Sequence, residues 1–453
     1  MVSNKDHSER EGTSVTGRRI AVIGSGVSGL TAGYILSRSD HVTLFEADDR
    51  FGGHADTHLV VPPSGPPISV DTGFIVYNER TYPTLTKLFA ELGVATQASE
   101  MSMSVRCAGC GLQYAGKRGL GGLAAGLRQG SGPYLRMLAE IPRFHRAARR
   151  LLASSTSGAS GASGASGASS SDEDLTLGQF LDDGGYSGYF TAHFALPLVA
   201  AVWSCPPGTA LSYPARYLFA FLANHGMLSV SSSPAWRTVA GGSRRYVERV
   251  LERLPSALAS TPVRAVHRYP DGADVHDAVD QVHHFDGVVI ATHPDQALRL
   301  LAKPTHAEED VLGAFRYTQN PALLHTDGRL LPSRPAVRAS WNYELTHCRP
   351  DRPGADPRTP RISYDMNRLQ SLSAAENYIV TLGGEGVVDP ARVIDRMDYA
   401  HPAYTPASVA AQRRLPELTT GVTAFAGAYH GWGFHEDGCR SGAEAARALG
   451  GTW

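Results

Sequence analysis

The sequence predicts a mixed α/β fold with a doubly wound, Rossmann-like dinucleotide-binding domain. Three observations predict it. Short apolar runs at 21–24, 42–45, 68–70, 287–292, 378–382 and 422–426 read as strands, and helix-like runs separate many of them. Gly24, Gly26 and Gly29 stand in GxGxxG spacing directly after the first run. The second run, HVTLFE, ends in Glu46, about 20 residues beyond Gly26, the separation expected for an acid that binds ribose hydroxyls.

Each part of the first element has a physical reason. Gly24 permits the tight turn, Gly26 lets the backbone approach a pyrophosphate, and Gly29 lets the following helix lie close to the strand. Ser25 and Ser28 lie within the same turn, and Ala47 follows the acid. The phosphates are expected on the helix N-terminus, where unpaired N–H groups and the helix dipole favour anions. NAD and FAD share this much, so the glycine turn alone does not choose between them.

Composition bounds the rest. A chain of 453 residues with 42% hydrophobic content supports a large core and two or three domains. Lys and Arg number 42 against 43 for Asp and Glu, so no net field exists to hold nucleic acid or an anionic membrane. The polar N-terminus lacks the apolar stretch of a secretory signal, and nowhere do roughly 18 uncharged apolar residues run together, so a soluble, cytoplasmic enzyme without a transmembrane segment is expected. The five cysteines are scattered, which argues against a disulfide framework. Cys107 and Cys110 form a lone CxxC with no second Cys/His pair at ligand spacing. It reads as a turn between strands, a metal or redox site being the alternative, and no metal is expected.

Residues 1–17 are polar and read as a disordered tail, and 154–171, SSTSGASGASGASGASSS, as a flexible linker or insertion. On either side of that tract, 142–152 and the run containing Leu175, Leu177, Phe180 and Leu181 have helical patterning.

Beyond Glu46 the run ADDRFGG contains Arg50, Gly52 and Gly53. Here the chain resembles the flavin-containing amine oxidase and protoporphyrinogen-oxidase-like superfamily, in which E-x-x-x-R-x-G-G lies along the FAD ribityl and pyrophosphate. The resemblance implies FAD as cofactor, with Arg50, Gly52 and Gly53 along it and His54 where the family often has Arg. VDTGFIVYN resembles the family strand beside the isoalloxazine ring, which implies Gly73, Phe74 and Ile75 near it. TPVRAV implies a backbone contact of Val263 with adenine. TAFAGAYHGWGFHEDGCRSGAEAARAL resembles the C-terminal flavin segment, which implies Gly427, Phe434, His435, Glu436 and Gly438 at the flavin, with a helix starting near Glu436. The closer likeness, in GFIVYNERTYP, FLANHGMLSV and AYHGWGFHEDGCRSG, is to a bacterial subgroup of NAD/FAD-binding oxidoreductases. Its genes often accompany cyclopropane-fatty-acid-synthase-like enzymes, which implies a lipid connection by association.

The resemblance also implies an amine-oxidase/glutathione-reductase-like architecture, in which an α+β domain for substrate is interleaved with the FAD-binding domain. The FAD-binding domain would comprise 18–80, 236–302 and 416–453, and the substrate domain 81–235 and 303–415. The expected activity is that of an FAD-dependent oxidoreductase taking hydride from a hydrophobic small molecule, such as an unsaturated or modified fatty acyl chain. A flavin-dependent double-bond isomerase and an amine oxidase are the alternatives. His435, Glu436 and His225 are the candidate catalytic residues, because His moves protons near neutral pH and two of them lie in the segment facing the flavin. His430 and His293 are weaker candidates, and Trp203, Tyr343, Tyr364 and Asn367 are candidates for the pocket wall. Amine oxidases proper usually have a Lys at the flavin, and the second half of this chain has only Lys303.

Overall fold

Arg19–Ile23 is an apolar run rich in β-branched residues, and it becomes the central strand of a five-stranded parallel sheet. The computed structural model describes residues 17–116, 119–127, 131–154, 175–228, 234–348 and 361–453. The expected disordered tail, save Gly17, and the Ser/Gly/Ala insertion, save Ser154, lie outside the described residues. On one side the central strand pairs with His41–Phe45 and then Ser256–Leu258. On the other it pairs with Gly287–Ile290 and then Thr423–Phe425. The register places Ile23 opposite both Phe45 and Ile290. The strand ends therefore align, and the turns that leave them open on one edge of the sheet.

The helix Val27–Leu36 follows the first strand, and all ten of its residues are buried. It is covered on both sides, by the sheet and by the C-terminal helix His435–Ala448. Small residues permit the close approach: a Cβ at Gly29 would collide with the Gly24 carbonyl oxygen, and one at Gly442 with that of Ser28.

The second body is a seven-stranded sheet. In order across it run Val393–Ala403, Arg316–His325, Ile379–Leu382, Arg361–Asp365, Trp341–Leu345, Met103–Cys107 and Gln113–Gly116. Every pairing is antiparallel except that of Trp341–Leu345 with Met103–Cys107. A helical layer packs beside it through an aromatic cluster, in which Phe144 meets Phe180, Phe190 and Phe219 at centroid distances of 5.9, 5.5 and 5.4 Å. Each fully buried Phe contributes about 1.5–3 kcal/mol by leaving water.

Two helices differ from the sequence reading. The helix expected over 142–152 begins at Ser131 and carries Pro142 inside it, because buried Tyr134 and Met137 pack its earlier turns. The next helix begins at Leu177, where Thr176 and Gln179 form a capping box.

Buried Asp71 links the two bodies. It accepts hydrogen bonds from Thr57, from the Ser243 amide and hydroxyl, and from Gln370 Nε2 at 2.9 Å. Burial pushes its carboxyl up to about 6.

Candidate active site

The open edge of the parallel sheet faces a cavity of about 1390 Å³ that continues to the seven-stranded sheet and the helical layer. Surveyed ligand pockets run to roughly 1,000 Å³, so the space suits a large cofactor together with a second molecule.

At the nucleotide end, Gly24 turns the chain with φ +98° and donates its N–H to the Phe45 carbonyl at 2.8 Å. Gly26 caps the first helix with no side-chain hydrogen bond, and a Cβ placed there meets nothing within 4 Å. Open space therefore lies against an uncapped helix N-terminus with no acid in its first turn. Ser25 and Ser28 line the same wall.

Glu46 also lines it, but its carboxylate is already engaged, accepting from the Ser25 N–H at 2.9 Å, the Ser25 hydroxyl and the Asp48 N–H at 3.0 Å. Ala47 and Val263 complete this end. Arg50 donates to the Gly53 carbonyl at 2.9 Å and pairs with Asp56 at 3.1 Å, so its guanidinium is fixed along the wall. Gly53 faces the cavity with φ +55°, whereas Gly52 lies behind it and donates to Ser25 Oγ at 3.0 Å.

Gly73, Phe74 and Ile75 follow the strand Ile68–Asp71 and line the middle of the cavity. Gly73 is required because a Cβ would strike the His54 carbonyl oxygen. The His54 ring lies between Tyr399 and His401, at 5.1 and 5.5 Å, and its Nε2 is buried without a partner. Burial, with His401 and His293 nearby, holds its pKa well below the ordinary value. The open space at Gly26 and the unpaired His54 Nε2 beside the same cavity fit a bound dinucleotide.

The C-terminal segment reaches the cavity through Gly427, Phe434 and His435. The helix begins at His435, one residue from the expected start. His435 stacks on Phe74 at 3.7 Å between centroids and lies 3.3 Å from the Tyr246 hydroxyl. Burial pushes its pKa down to about 3, which keeps the ring neutral near neutral pH.

Glu436 and Gly438 require correction. The Glu436 carboxylate accepts from the backbone N–H groups of Thr84 and Leu85, each at 3.0 Å, and thus caps the helix Pro83–Leu92 outside the cavity lining. A Cβ at Gly438 would approach Val27 Cγ1 at 2.6 Å, so this glycine serves packing between the two helices.

His225 lines the other half of the cavity. The Phe221 carbonyl lies 3.0 Å from its Nδ1 and can only accept, so Nδ1 carries the hydrogen and Nε2 the lone pair. Burial lowers its pKa to about 4. Trp203 and Tyr364 are on this wall as expected. Tyr343 is buried in the aromatic core instead, and Asn367 is engaged with the Glu376 carbonyl and the Tyr378 N–H. His293 lines the cavity, stacked on Tyr317 at 4.1 Å, while His430 lies behind the lining with its Nε2 unpaired. Lys303 is exposed, and among the described residues lining the cavity none is lysine.

Sequence reasoning missed Phe221, Met227, Trp236, Trp341, Tyr399 and His401, all of which line the cavity. Tyr399 and His401 alternate on the strand Val393–Ala403, a period-two signal that was readable. The others come from separate elements and had no local signature.

Comparison with known proteins agrees with this geometry. The family model for flavin containing amine oxidoreductases matches residues 27–324. Protoporphyrinogen oxidase 2 of Arabidopsis thaliana is 61% identical over 41 residues, a match covering 9% of this chain and only 8% of that relative. Among solved structures, a triple mutant of putrescine oxidase superposes with TM-score 0.67 at 16% identity, covering 96% of this chain and 98% of the other. A fatty acid isomerase from P. acnes superposes with TM-score 0.64 at 16% identity, covering 97% and 100%. These likenesses establish a shared fold. With the family match spanning well over half its length, the chain belongs to the flavin-containing amine oxidoreductases and is an FAD-dependent oxidoreductase.

Proposed function

We propose that the enzyme acts on a hydrophobic small molecule of the unsaturated or modified fatty acyl type, removing hydride from it. The observation that supports this is the wall opposite the nucleotide end. Met101, Trp203, Phe221, Met227, Trp236, Trp341 and Tyr364 contribute apolar or aromatic surface, and among the described residues these segments bring no charged side chain to the wall. Such a surface favours transfer of hydrocarbon out of water, at about 25 cal/mol per Å² buried. Its described residues offer an ammonium group neither a carboxylate partner nor a lysine-held water.

Bound FAD supplies the hydride acceptor, and the positive end of the helix His435–Ala448 at the cavity wall favours negative charge there. Gly26 and the uncapped helix behind it would receive the pyrophosphate, Arg50 would border it, and His54 Nε2 would gain a partner. His225 presents a neutral Nε2 to the substrate and accepts a hydrogen bond or a proton from it. His435, clamped between Phe74 and Tyr246, positions the helix N-terminus without taking a proton.

The test is anaerobic mixing of the FAD-loaded enzyme with unsaturated fatty acids, cyclopropane fatty acids, putrescine and cyclohexylamine. Bleaching of the flavin band by a fatty acid and by neither amine is the expected result. Conversion of a fatty acid without lasting bleaching anaerobically, and without oxygen consumption when repeated in air, identifies the isomerase reading, in keeping with the fold shared with the P. acnes isomerase. Bleaching by the amines alone overturns the proposal.

A further inference from the structure

Outside the cavity, four side chains converge that the flavin site does not use. Cys107, Cys110, His193 and Cys348 bring one ligand atom each to a common point, all four lying within 4.8 Å of one another. His193 Nε2 stands 3.5 Å from Cys110 Sγ and 3.6 Å from Cys348 Sγ. A tetrahedral ion with Zn–S of about 2.3 Å and Zn–N of about 2.0–2.1 Å sets sulfur and nitrogen about 3.6 Å apart, which matches both separations. A two-iron cluster spreads its ligands over two metals and does not suit so tight a set.

The surroundings orient the donors. The Tyr189 carbonyl lies 3.0 Å from His193 Nδ1 and can only accept, so the hydrogen is on Nδ1 and the Nε2 lone pair faces the sulfurs. His193 is carried on the π-helical turn Thr191–Ala195, a local widening that recurs at functional sites. The CxxC turn leaves the strand Met103–Cys107, where the Cys107 N–H donates to the Leu112 carbonyl at 2.9 Å. The Ala108 N–H donates to the Leu345 carbonyl at 2.8 Å, which ties this turn to the segment leading to Cys348. Gly109 is needed there because a Cβ would collide with the Cys348 backbone nitrogen. The turn expected from the sequence exists, and two partners distant in the chain bring it a donor set that spacing could not display.

We propose that Cys107, Cys110, His193 and Cys348 form a closed, four-ligand site for a single zinc ion. Three thiolates and one neutral imidazole suit zinc, and four protein ligands leave no open position for water, so the ion is structural. It joins the hairpin of Met103–Cys107 and Gln113–Gly116 to the π-helical turn and to the end of the strand Trp341–Leu345. The helix Leu196–Trp203 continues from that turn and ends in Trp203, while Trp341 opens that strand. The ion therefore braces the aromatic wall of the cavity from behind.

The experiment uses the full-length, untagged, FAD-loaded enzyme from zinc-supplemented cells, dialysed and analysed by plasma mass spectrometry. About one zinc per chain is expected, released in full when a mercurial titrates the thiols of the folded protein. C348S and H193Q should fall below about 0.2 zinc per chain, while C205S, which alters a buried cysteine outside the cluster, should keep about one. If the variants do not fold, cobalt exchanged into the wild-type enzyme reports the same geometry through intense thiolate-to-cobalt and tetrahedral d–d bands. Wild-type protein that holds no metal and takes up neither zinc nor cobalt after reduction overturns the proposal. So does metal content unchanged in C348S and H193Q, or a Cys107–Cys110 disulfide in the native enzyme.

Discussion

Lowering the pH from 7.5 to 5 loads protons onto the unfolded chain that the folded interior does not accept. Burial holds His225, His325, His401 and His430 at about 4 and His435 at about 3, against 6.5 for a free ring. A base depressed in the fold contributes stability that is complete above 6.5 and is lost as pH falls through the window toward about 4. At pH 5 each ring is 1.5 units below its free value yet neutral in the fold, and at 1.36 kcal/mol per unit this costs about 2 kcal/mol per ring. Asp71 and Asp437 work in the opposite sense, since burial raises both to about 6 and the fold takes their protons first. Between pH 6 and 5 each returns about 1.4 kcal/mol. Five rings outweigh two carboxyls, leaving a net loss of several kcal/mol from a total stability on the order of 5–15 kcal/mol. The assay is guanidinium unfolding of the FAD-saturated enzyme, followed by far-UV circular dichroism at the two pH values, with the midpoint falling clearly at pH 5. His430→Gln removes one titrating ring that lies off the cavity lining, so its pH-dependent loss should shrink by about 2 kcal/mol. Equal midpoints at the two pH values, or an undiminished loss in His430→Gln, refute the reasoning.

Gly26→Ala should fold with a melting temperature within about 2 °C of wild type yet bind FAD at least tenfold more weakly, about 1.4 kcal/mol, because its methyl occupies only the open space at the phosphate turn. Gly29→Ala should instead lose stability outright, and a reversed order of the two in FAD titration and thermal melting would contradict the assigned roles. Glu436→Gln should cost about 1 kcal/mol of stability through the weakened cap on Thr84 and Leu85 and leave turnover within about threefold. A hundredfold loss of turnover at unchanged stability would restore a catalytic role. With His225 and His435 neutral down to about 4, kcat/KM should show no acid limb near 6.5 that His225→Gln abolishes, as a pH–rate profile will report.

What was legible in the sequence was local. Gly24, Gly26, Gly29 and Glu46 sit in one strand–turn–helix–strand unit whose geometry depends on neighbours in the chain, and the C-terminal helix announced its start within one residue. Glu436 misled because its chemistry is visible in sequence and its direction is not: a residue at a helix N-terminus can face either the cavity or the next helix, and here it meets Thr84 and Leu85. The neutrality of His435 likewise arises from burial beside Phe74 and Tyr246, which are 361 and 189 positions away. The partners of the CxxC turn were hidden for the same reason, His193 and Cys348 being isolated residues in unrelated segments.

The order of strands across the parallel sheet has a consequence for synthesis on the ribosome. The central strand emerges well before its neighbour Gly287–Ile290 and the edge strand Thr423–Phe425. The helix His435–Ala448, which closes over the nucleotide helix, comes later still. A nascent chain thus exposes the apolar faces of its first βαβ unit until those later strands are made, and it cannot assemble the complete FAD cradle before the helix His435–Ala448 has emerged. Chaperone shielding during elongation, and loading of FAD only once that helix has emerged, follow from that arrangement.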